Sequence, residues 1–167
     1  MARRVEVTRR ILEITDPADI RPPTQPPRVP FQLVEVHDPK LNRALYETVG
    51  KPYHWTDRLR WRDGDWVRWE ARVETRVIEV GGGPAGYFEL EPGAGRVTLA
   101  YFGLYEPFHG LGIGGHALTL ALRRGFEVAP IVQVSTNTLD GPHALINYQA
   151  RGMRERQVFV EHRVIDD

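Results

Sequence analysis

The chain contains no cysteine, and this absence removes several classes of chemistry. Disulfide bonds, thiolate metal sites and a cysteine nucleophile all require a thiol, so none of them can operate here. No apolar run approaches the roughly 20 residues that span a bilayer. No apolar stretch follows the charged N-terminal sequence MARRVEVTRR, so we expect no signal peptide. Together these absences predict a cytoplasmic protein without membrane contact.

Neither sign of charge is in excess, because 22 Lys and Arg residues balance 22 Asp and Glu residues. The chain therefore lacks the basic surplus that draws proteins to nucleic acid, and we expect no nucleic-acid partner. Lysine is scarce, with Lys40 and Lys51 as its only examples, which is typical of a GC-rich bacterial genome. The histidines follow no metal-ligand spacing, so we expect no metal.

The length of 167 residues suits one domain, and hydrophobic periodicity divides it into short elements. Aspartates precede two of the predicted helices, and we expect Asp38 and Asp140 to be their N-caps. Six prolines between residues 17 and 30 predict an extended connector. The predicted strands are 3–15, 31–36, 75–80, 85–90, 97–104, 131–136 and 157–165, and the predicted helices are 39–46, 63–72, 113–124 and 142–150.

The sequence HGLGIGG, residues 109–115, stands between a predicted strand and a predicted helix. A strand that enters a glycine-rich turn and leaves as a helix is a common way to hold phosphate. The backbone N–H groups of the turn point at one place, and the positive end of the helix dipole lies behind them. This arrangement predicts a phosphorylated cofactor.

Two templates fit the glycine loop. Gly110, Gly112 and Gly115 match the GxGxxG fingerprint of Rossmann dinucleotide-binding domains. That fingerprint needs an acidic residue at the end of the next strand to hold a ribose, whereas this strand ends in Ser135, Thr136 and Asn137. The antiparallel strands upstream also disagree with a Rossmann domain, so we disfavour that interpretation.

The second template carries a family resemblance, because the chain resembles the GNAT-type N-acetyltransferases from about residue 31 to its end. The resemblance rests on three segments in order: YFGLYEPFHGLGIGGHAL, the strand VQVST, and GPHALINYQARGM. Ala144, Tyr148 and Gly152 occupy matching positions in the third segment. Departures are His109 in place of Gln or Arg, Gly141 in place of Asn, and Met153 in place of Phe. The sequence around Trp55 and Asp140 is similar to a functionally unassigned bacterial subgroup.

The resemblance implies a mixed α/β fold: a mostly antiparallel sheet of six or seven strands, a parallel central pair with a V-shaped opening, and helices on both faces. It implies residues 31–167 as an acetyltransferase domain. Residues 1–30 are then an extra strand and a proline-rich connector. We expect the extra strand to extend the sheet edge or to pair with a second subunit in a homodimer.

The resemblance also implies acetyl-CoA as the acetyl donor, with its pyrophosphate on the glycine loop and its pantetheine arm along the strand 97–104. Asn137 or Asp140 would supply the polar side chain that Gly141 does not have. The residues implied for this cofactor are Phe102, Leu104, His109, Gly110, Leu111, Gly112, Ile113, Gly114, Gly115 and Asn137.

The resemblance implies Tyr148 as the general acid for the leaving thiolate, although spacing alone favours a core tyrosine on an amphipathic helix. Glu89 is the first choice of base for the amine. His54 and Asp57 are alternatives, and no single base is a third. His54, Trp55 and Asp57 are expected to bind the acceptor, a small-molecule or peptide amine, although a tryptophan-rich segment could also serve ordinary packing. A non-catalytic acyl-CoA-binding or sensor module on the same fold is the alternative function.

Overall fold

The computed structural model describes residues 1–166. Its strands are β1 (Ala2–Ile14), β2 (Gln32–Val36), β3 (Glu74–Val80), β4 (Gly83–Pro92), β5 (Val97–Leu104), β6 (Val132–Asn137) and β7 (Arg154–Asp166), and its helices are α1 (Pro39–Gly50), α2 (Asp63–Arg72), α3 (Ile113–Val128) and α4 (Pro142–Ala150). The strands form one seven-stranded sheet in the order β2-β3-β4-β5-β6-β1-β7. Only β5 and β6 pair in parallel; the other neighbours are antiparallel. The predicted mixed, mostly antiparallel fold is confirmed.

Strand β1 lies inside the sheet rather than at its edge. Residues Arg9 to Ile14 pair with β6, and β7 pairs along the whole of β1 on the other side. The prediction that this strand extends the sheet edge is therefore wrong, because β7 takes the edge position. The homodimer and the division of the chain at residue 30 stay predictions.

The sequence predicted the N-cap residue correctly for α1 but not for α4. Asp38 caps α1 as predicted, since its carboxylate accepts a hydrogen bond from the Lys40 backbone N–H at 3.0 Å. The predicted cap of α4 is wrong, because Gly141 and not Asp140 occupies the N-cap position. Asp140 Oδ2 instead accepts hydrogen bonds from the Thr136 hydroxyl at 2.8 Å and the Asn137 N–H at 2.9 Å. These bonds close the turn after β6.

Helices cover both faces of the sheet, as predicted. Residues Leu45, Tyr46 and Trp66 of α1 and α2 pack on one face together with Val77 and Tyr87 of the sheet. The opposite face carries α3 and α4, in a larger cluster that includes Leu12, Phe88, Val134, Leu118 and Tyr148. Among the described residues, no helix is both long and apolar enough to cross a membrane.

The proline-rich connector crosses the sheet from β1 to the far edge strand β2, a distance of five strand spacings or about 24 Å. An extended proline-rich chain gains about 3 Å per residue, so this segment is long enough for the crossing. It packs on the side of α3 and α4. The Arg21 N–H donates to the Arg151 carbonyl at 3.0 Å, and the Arg28 N–H donates to the Leu111 carbonyl at 2.8 Å.

Candidate active site

The segment between β5 and α3 gathers backbone N–H groups in one place. Gly110 and Gly112 both have a φ of +76°, a left-handed conformation that a side chain disfavours. Gly112 is the N-cap of α3 and provides no side-chain cap. The first-turn N–H groups of α3 therefore have no side-chain acceptor, and the helix dipole adds positive potential behind them. This end of the helix has the chemistry of an anion site.

Strands β5 and β6 separate soon after they begin to pair. Their ladder joins only Val97–Leu99 to Val132–Val134, so the second half of β5 faces open space. A cleft of about 720 Å³ occupies this opening, within the range of about 300–1,000 Å³ that is usual for ligand sites. The V-shaped opening expected in the sheet is therefore present.

The cleft brings together most of the predicted site residues. Those that line it are Phe102, Leu104, His109, Gly110, Gly112, Ile113, Gly114, Gly115, Asn137, Tyr148, His54, Trp55 and Asp57. Leu111 and Glu89 do not line it. Leu111 packs instead into a hydrophobic cluster with Ile78, Ile113 and Ala117. Among the described residues, no group of three or more histidine and carboxylate side chains could hold a metal ion.

A β-bulge in β5 lies beside the cleft. Glu89 pairs with Tyr101 and Leu90 pairs with Leu99, so Ala100 has no partner residue in β4. A bulge of this kind disrupts the ladder and redirects backbone groups locally. Both Ala100 and Tyr101 line the cleft, so the bulge presents backbone polar groups to a ligand between β5 and β6.

His109 closes the end of β5. Its Nε2 lies 2.9 Å from the Leu104 carbonyl, and because a carbonyl only accepts, this nitrogen carries the proton. The Tyr53 hydroxyl lies 3.3 Å from the same nitrogen, and the two rings stack at a centroid distance of 6.5 Å. His109 therefore joins the glycine loop to the segment that follows α1.

Tyr148 reaches the cleft from α4 and is 5% exposed. Burial, and secondarily the negative charge of Asp140, raise the pKa of its phenol above the ordinary value. Its hydroxyl therefore keeps its proton at neutral pH. Within residues 1–166 this hydroxyl has no hydrogen-bond partner, so it is free to donate to a ligand. The neighbouring Asn147 ties α4 to α3 through a 3.2 Å hydrogen bond to the Gly114 carbonyl.

Glu89 lies beneath α1 and α2 and is completely buried. Its Oε1 accepts from Arg58 Nη1 at 2.9 Å, and its Oε2 accepts from Asn42 Nδ2 at 2.7 Å and Trp69 Nε1 at 3.0 Å. The Arg58 guanidinium lies in turn over the rings of Trp69 and Tyr101, at 4.0 and 4.4 Å. A carboxylate held by three donors away from the cleft is suited to organising the fold rather than to accepting a proton from an amine.

Aromatic rings form the wall of the cleft next to α1. Trp55 lies 4.5 Å from Tyr101 between ring centroids. Trp55 can pack there because Gly50 leaves the space, since a Cβ on Gly50 would lie 2.5 Å from the indole. Gly103 is needed for a different neighbour, because a Cβ there would lie 2.5 Å from Val49 Cγ1. The backbone before Trp55 turns sharply: His54 has a left-handed φ of +55°, and the Trp55 N–H donates to the Gly50 carbonyl at 3.1 Å.

Asp140 faces this aromatic wall from the turn after β6. Trp55 Nε1 donates to its Oδ1 at 3.4 Å. Burial raises the pKa of the Asp140 carboxyl, while its hydrogen bonds and the charge of Arg163 act in the lowering direction. A carboxylate with a raised pKa is a stronger base than one in water.

No family model and no curated protein matches the chain, but its fold matches solved structures. A GCN5-related N-acetyltransferase from Kribbella flavida aligns with a TM-score of 0.65 and 20% identity over 95% of this chain and 58% of its own. A GCN5-related N-acetyltransferase from Sphaerobacter thermophilus gives 0.59 and 23%, over 96% of this chain and 52% of its own.

An acetyltransferase from Bacillus subtilis in complex with CoA aligns with a TM-score of 0.57 and 18% identity, over 75% of this chain and 77% of its own. The chain has the GNAT fold. It spans only a little more than half the length of the Kribbella and Sphaerobacter structures.

Several cleft residues were missed by the sequence analysis as site residues, and Arg9, Arg163 and Tyr53 are among them. Arg9 and Arg163 line the cleft from β1 and β7, and Tyr53 lines it from the turn after α1. No local signal marks the two arginines, because their place depends on pairing between strands at opposite ends of the chain. Tyr53 adjoins the predicted segment around Trp55, and its aromatic neighbours were the only available signal.

Proposed function

We propose that the chain is an N-acetyltransferase that transfers an acetyl group from acetyl-CoA to an amine of a small molecule or peptide by direct attack. The observation that carries this proposal is one continuous cleft. It joins an uncapped glycine-rich helix N-terminus, the open edge of β5 and a free phenol to an aromatic wall that bears carboxylates. The GNAT fold supports the same function by analogy.

In this proposal the chain holds the donor mainly through its backbone. The N–H groups around Gly112 to Gly115 bind the pyrophosphate at the N-terminus of α3. The unpaired edge of β5 offers strand-like hydrogen bonds to the pantetheine arm. Acetyl-CoA, when bound, supplies a thioester carbonyl that an amine can attack and a sulfur that can leave. In this proposal a backbone N–H at the bulge near Ala100 donates to the negative charge that develops on that carbonyl oxygen.

Proton transfers fall to side chains of the cleft. A neutral amine forms the new C–N bond while the C–S bond breaks, so one proton must leave the nitrogen and one must reach the sulfur. Tyr148 is proposed to donate to the sulfur, since its hydroxyl is protonated and unpartnered. Of the groups considered as bases, His54 and Asp57 line the cleft and Glu89 does not. Asp140 adds a third cleft group able to accept the proton.

The test is thiol release from acetyl-CoA with a panel of primary amines, with CoA binding measured separately by calorimetry. We expect amine-dependent thiol release that matches the acetylated amine by mass spectrometry one for one. Tight CoA binding with no release for any amine would favour the sensor module instead. Absence of CoA binding would rule out both functions.

A further inference from the structure

Two arginines line the cleft without a part in the proposed chemistry. Arg9 Nε donates to Glu161 Oε1 at 2.8 Å, and Arg163 Nη2 donates to Glu161 Oε2 at 3.2 Å. Arg9 also lies over the Phe159 ring at 4.3 Å. One carboxylate thus holds two guanidinium groups beside each other, and the three side chains carry a net charge of about +1 at neutral pH.

Both guanidinium groups keep donors for a ligand. Within residues 1–166, the two terminal nitrogens of Arg9 have no hydrogen-bond partner, and neither do Nε and Nη1 of Arg163. The hydrogen bond from Arg9, followed by that from Arg163, lowers the pKa of Glu161. Glu161 therefore stays ionised near neutral pH and keeps the pair in place. Planar guanidinium groups with free N–H donors suit a carboxylate.

Sheet register places this pair on the acceptor side of the cleft. Arg9 lies opposite Asn137 of β6, and alternation puts both on the same sheet face as Tyr101, the face that α1 and α2 cover. Val134 is three residues before Asn137 and therefore faces the opposite side of the sheet, where it packs with α3 and α4. The arginines therefore lie on the sheet face opposite to α3, whose N-terminus carries the glycine loop, and they are separate from the backbone groups proposed to hold the phosphates.

The same cleft also contains two carboxylates, and one of them lies near Arg163. Asp57 and Asp140 both line the cleft, and within residues 1–166 Asp140 Oδ1 receives only the long hydrogen bond from Trp55 at 3.4 Å. Arg163 is near enough to lower the pKa of Asp140 electrostatically. The acceptor side therefore presents anionic and cationic groups next to each other in one cavity.

We infer that the acceptor is an amine that also carries a carboxylate, as amino acids do. Its carboxylate binds Arg9 and Arg163, and its ammonium faces Asp57 and Asp140 before it loses a proton. This inference rests on the proposed function and names the substrate class for the same site. An amine without a carboxylate would leave the guanidinium donors unpaired in the occupied cleft.

The test uses free amino acids, β-alanine and γ-aminobutyrate, each compared with its methyl ester. Binding is measured on the CoA-bound protein, and turnover is measured with acetyl-CoA. We expect the free acid to bind at least ten-fold more tightly than the ester. Arg9→Gln and Arg163→Gln should remove this preference by weakening the acid alone. Arg10→Gln is the matched control, because Arg10 neighbours Arg9, forms an equivalent 3.0 Å pair with Glu155 and has a similar exposure of 30% against 28%.

Equal binding of acid and ester, or a preference that survives in both arginine variants, would overturn the inference. Thiol release with an amine that lacks a carboxylate, together with no binding of any amino acid, would overturn the inference and leave acetyl transfer intact. Arginine-dependent amino acid binding without thiol release for any amine would support the anion site and overturn the proposed function.

Discussion

The buried pair of Glu89 and Arg58 allows a stringent test of whether Glu89 serves the fold or the chemistry. The change is Glu89→Gln, which keeps the size of the side chain and removes its charge. A glutamine offers one acceptor oxygen and one NH₂ group. Whichever way it is oriented, the NH₂ group faces a donor: either Arg58 Nη1, or both Asn42 Nδ2 and Trp69 Nε1.

The expected loss of stability follows from the burial of the pair, since the side chain of Arg58 is 7% exposed and that of Glu89 is 0% exposed. Removal of one partner from a buried ion pair costs about 3–5 kcal/mol, because the other charge is left uncompensated. Arg58 keeps the aromatic faces around it, and desolvated cation–π contacts contribute about 2 kcal/mol. We therefore expect Glu89→Gln to lower the free energy of unfolding by an amount at the lower end of this range, about 3 kcal/mol.

The assay is urea unfolding followed by tryptophan fluorescence, with thermal unfolding in parallel. A loss of about 3 kcal/mol corresponds to a Tm decrease of roughly 6–12 °C in a chain of this size. Glu47→Gln is the control, since its pair with Arg43 at 3.0 Å is on the surface of α1 with both side chains almost half exposed. That control should cost less than about 1 kcal/mol.

The test is completed by measuring activity under conditions in which Glu89→Gln remains folded. We expect CoA affinity and the pH dependence of kcat/KM to stay close to those of the unmodified protein. A stability loss below about 1 kcal/mol, combined with loss of the basic group from the pH profile, would refute the structural role and restore Glu89 as the base.

Three further predictions concern the cleft. Tyr148→Phe should lower kcat ten-fold or more, equivalent to about 1.4 kcal/mol, without weakening CoA binding. Tyr105→Phe, outside the cleft, should leave kcat unchanged, and equal rates in both variants would remove Tyr148 from the mechanism. Gly112→Ala and Gly95→Ala should each cost about 1–2 kcal/mol of stability, since both glycines have φ above +70°. Calorimetry should show weaker CoA binding only for Gly112→Ala, and equal CoA affinity in the two would contradict the loop assignment. Burial raises the pKa of Asp140, so its contribution to the free energy of unfolding is least favourable near neutral pH and improves as pH falls through that raised pKa toward the ordinary carboxyl value. The stability of Asp140→Asn relative to the unmodified protein should therefore be most favourable near pH 7 and decline in acid; a difference that does not vary with pH would contradict the burial argument.

Features set by a few neighbouring residues were predictable from the sequence. The helix start at Asp38 and the phosphate-type loop at Gly110 and Gly112 depend on backbone chemistry that is local to each segment. The strand meander and the single parallel pair follow from periodicity and connection length in the same way. The donor side that we propose is built from such features, and its assignment to CoA stays a prediction.

Features set by distant residues were not predictable. Alternation marks β1 as a strand, but nothing within it shows that it inserts between β6 and β7. Glu89 belongs to a predicted strand, yet its three donors come from α1, α2 and the segment between them. Asp140 precedes a helix and could cap it, whereas it closes the preceding turn instead. Each of these depends on a tertiary contact that a single sequence does not display.

The position of β1 in the sheet also affects when this strand can fold. Strand β1 pairs with β6 and β7, the two strands most distant from it in the sequence, and Ala2 lies opposite Asp166. Almost the whole polypeptide must therefore be available before β1 can pair, and contacts of such long sequence separation slow folding. The cleft wall that contains Arg9 and Arg163 forms only at that final stage. Because Ala2 and Asp166 lie opposite each other in neighbouring strands, a short linker could join β7 to β1 and the chain could be opened instead in a surface loop.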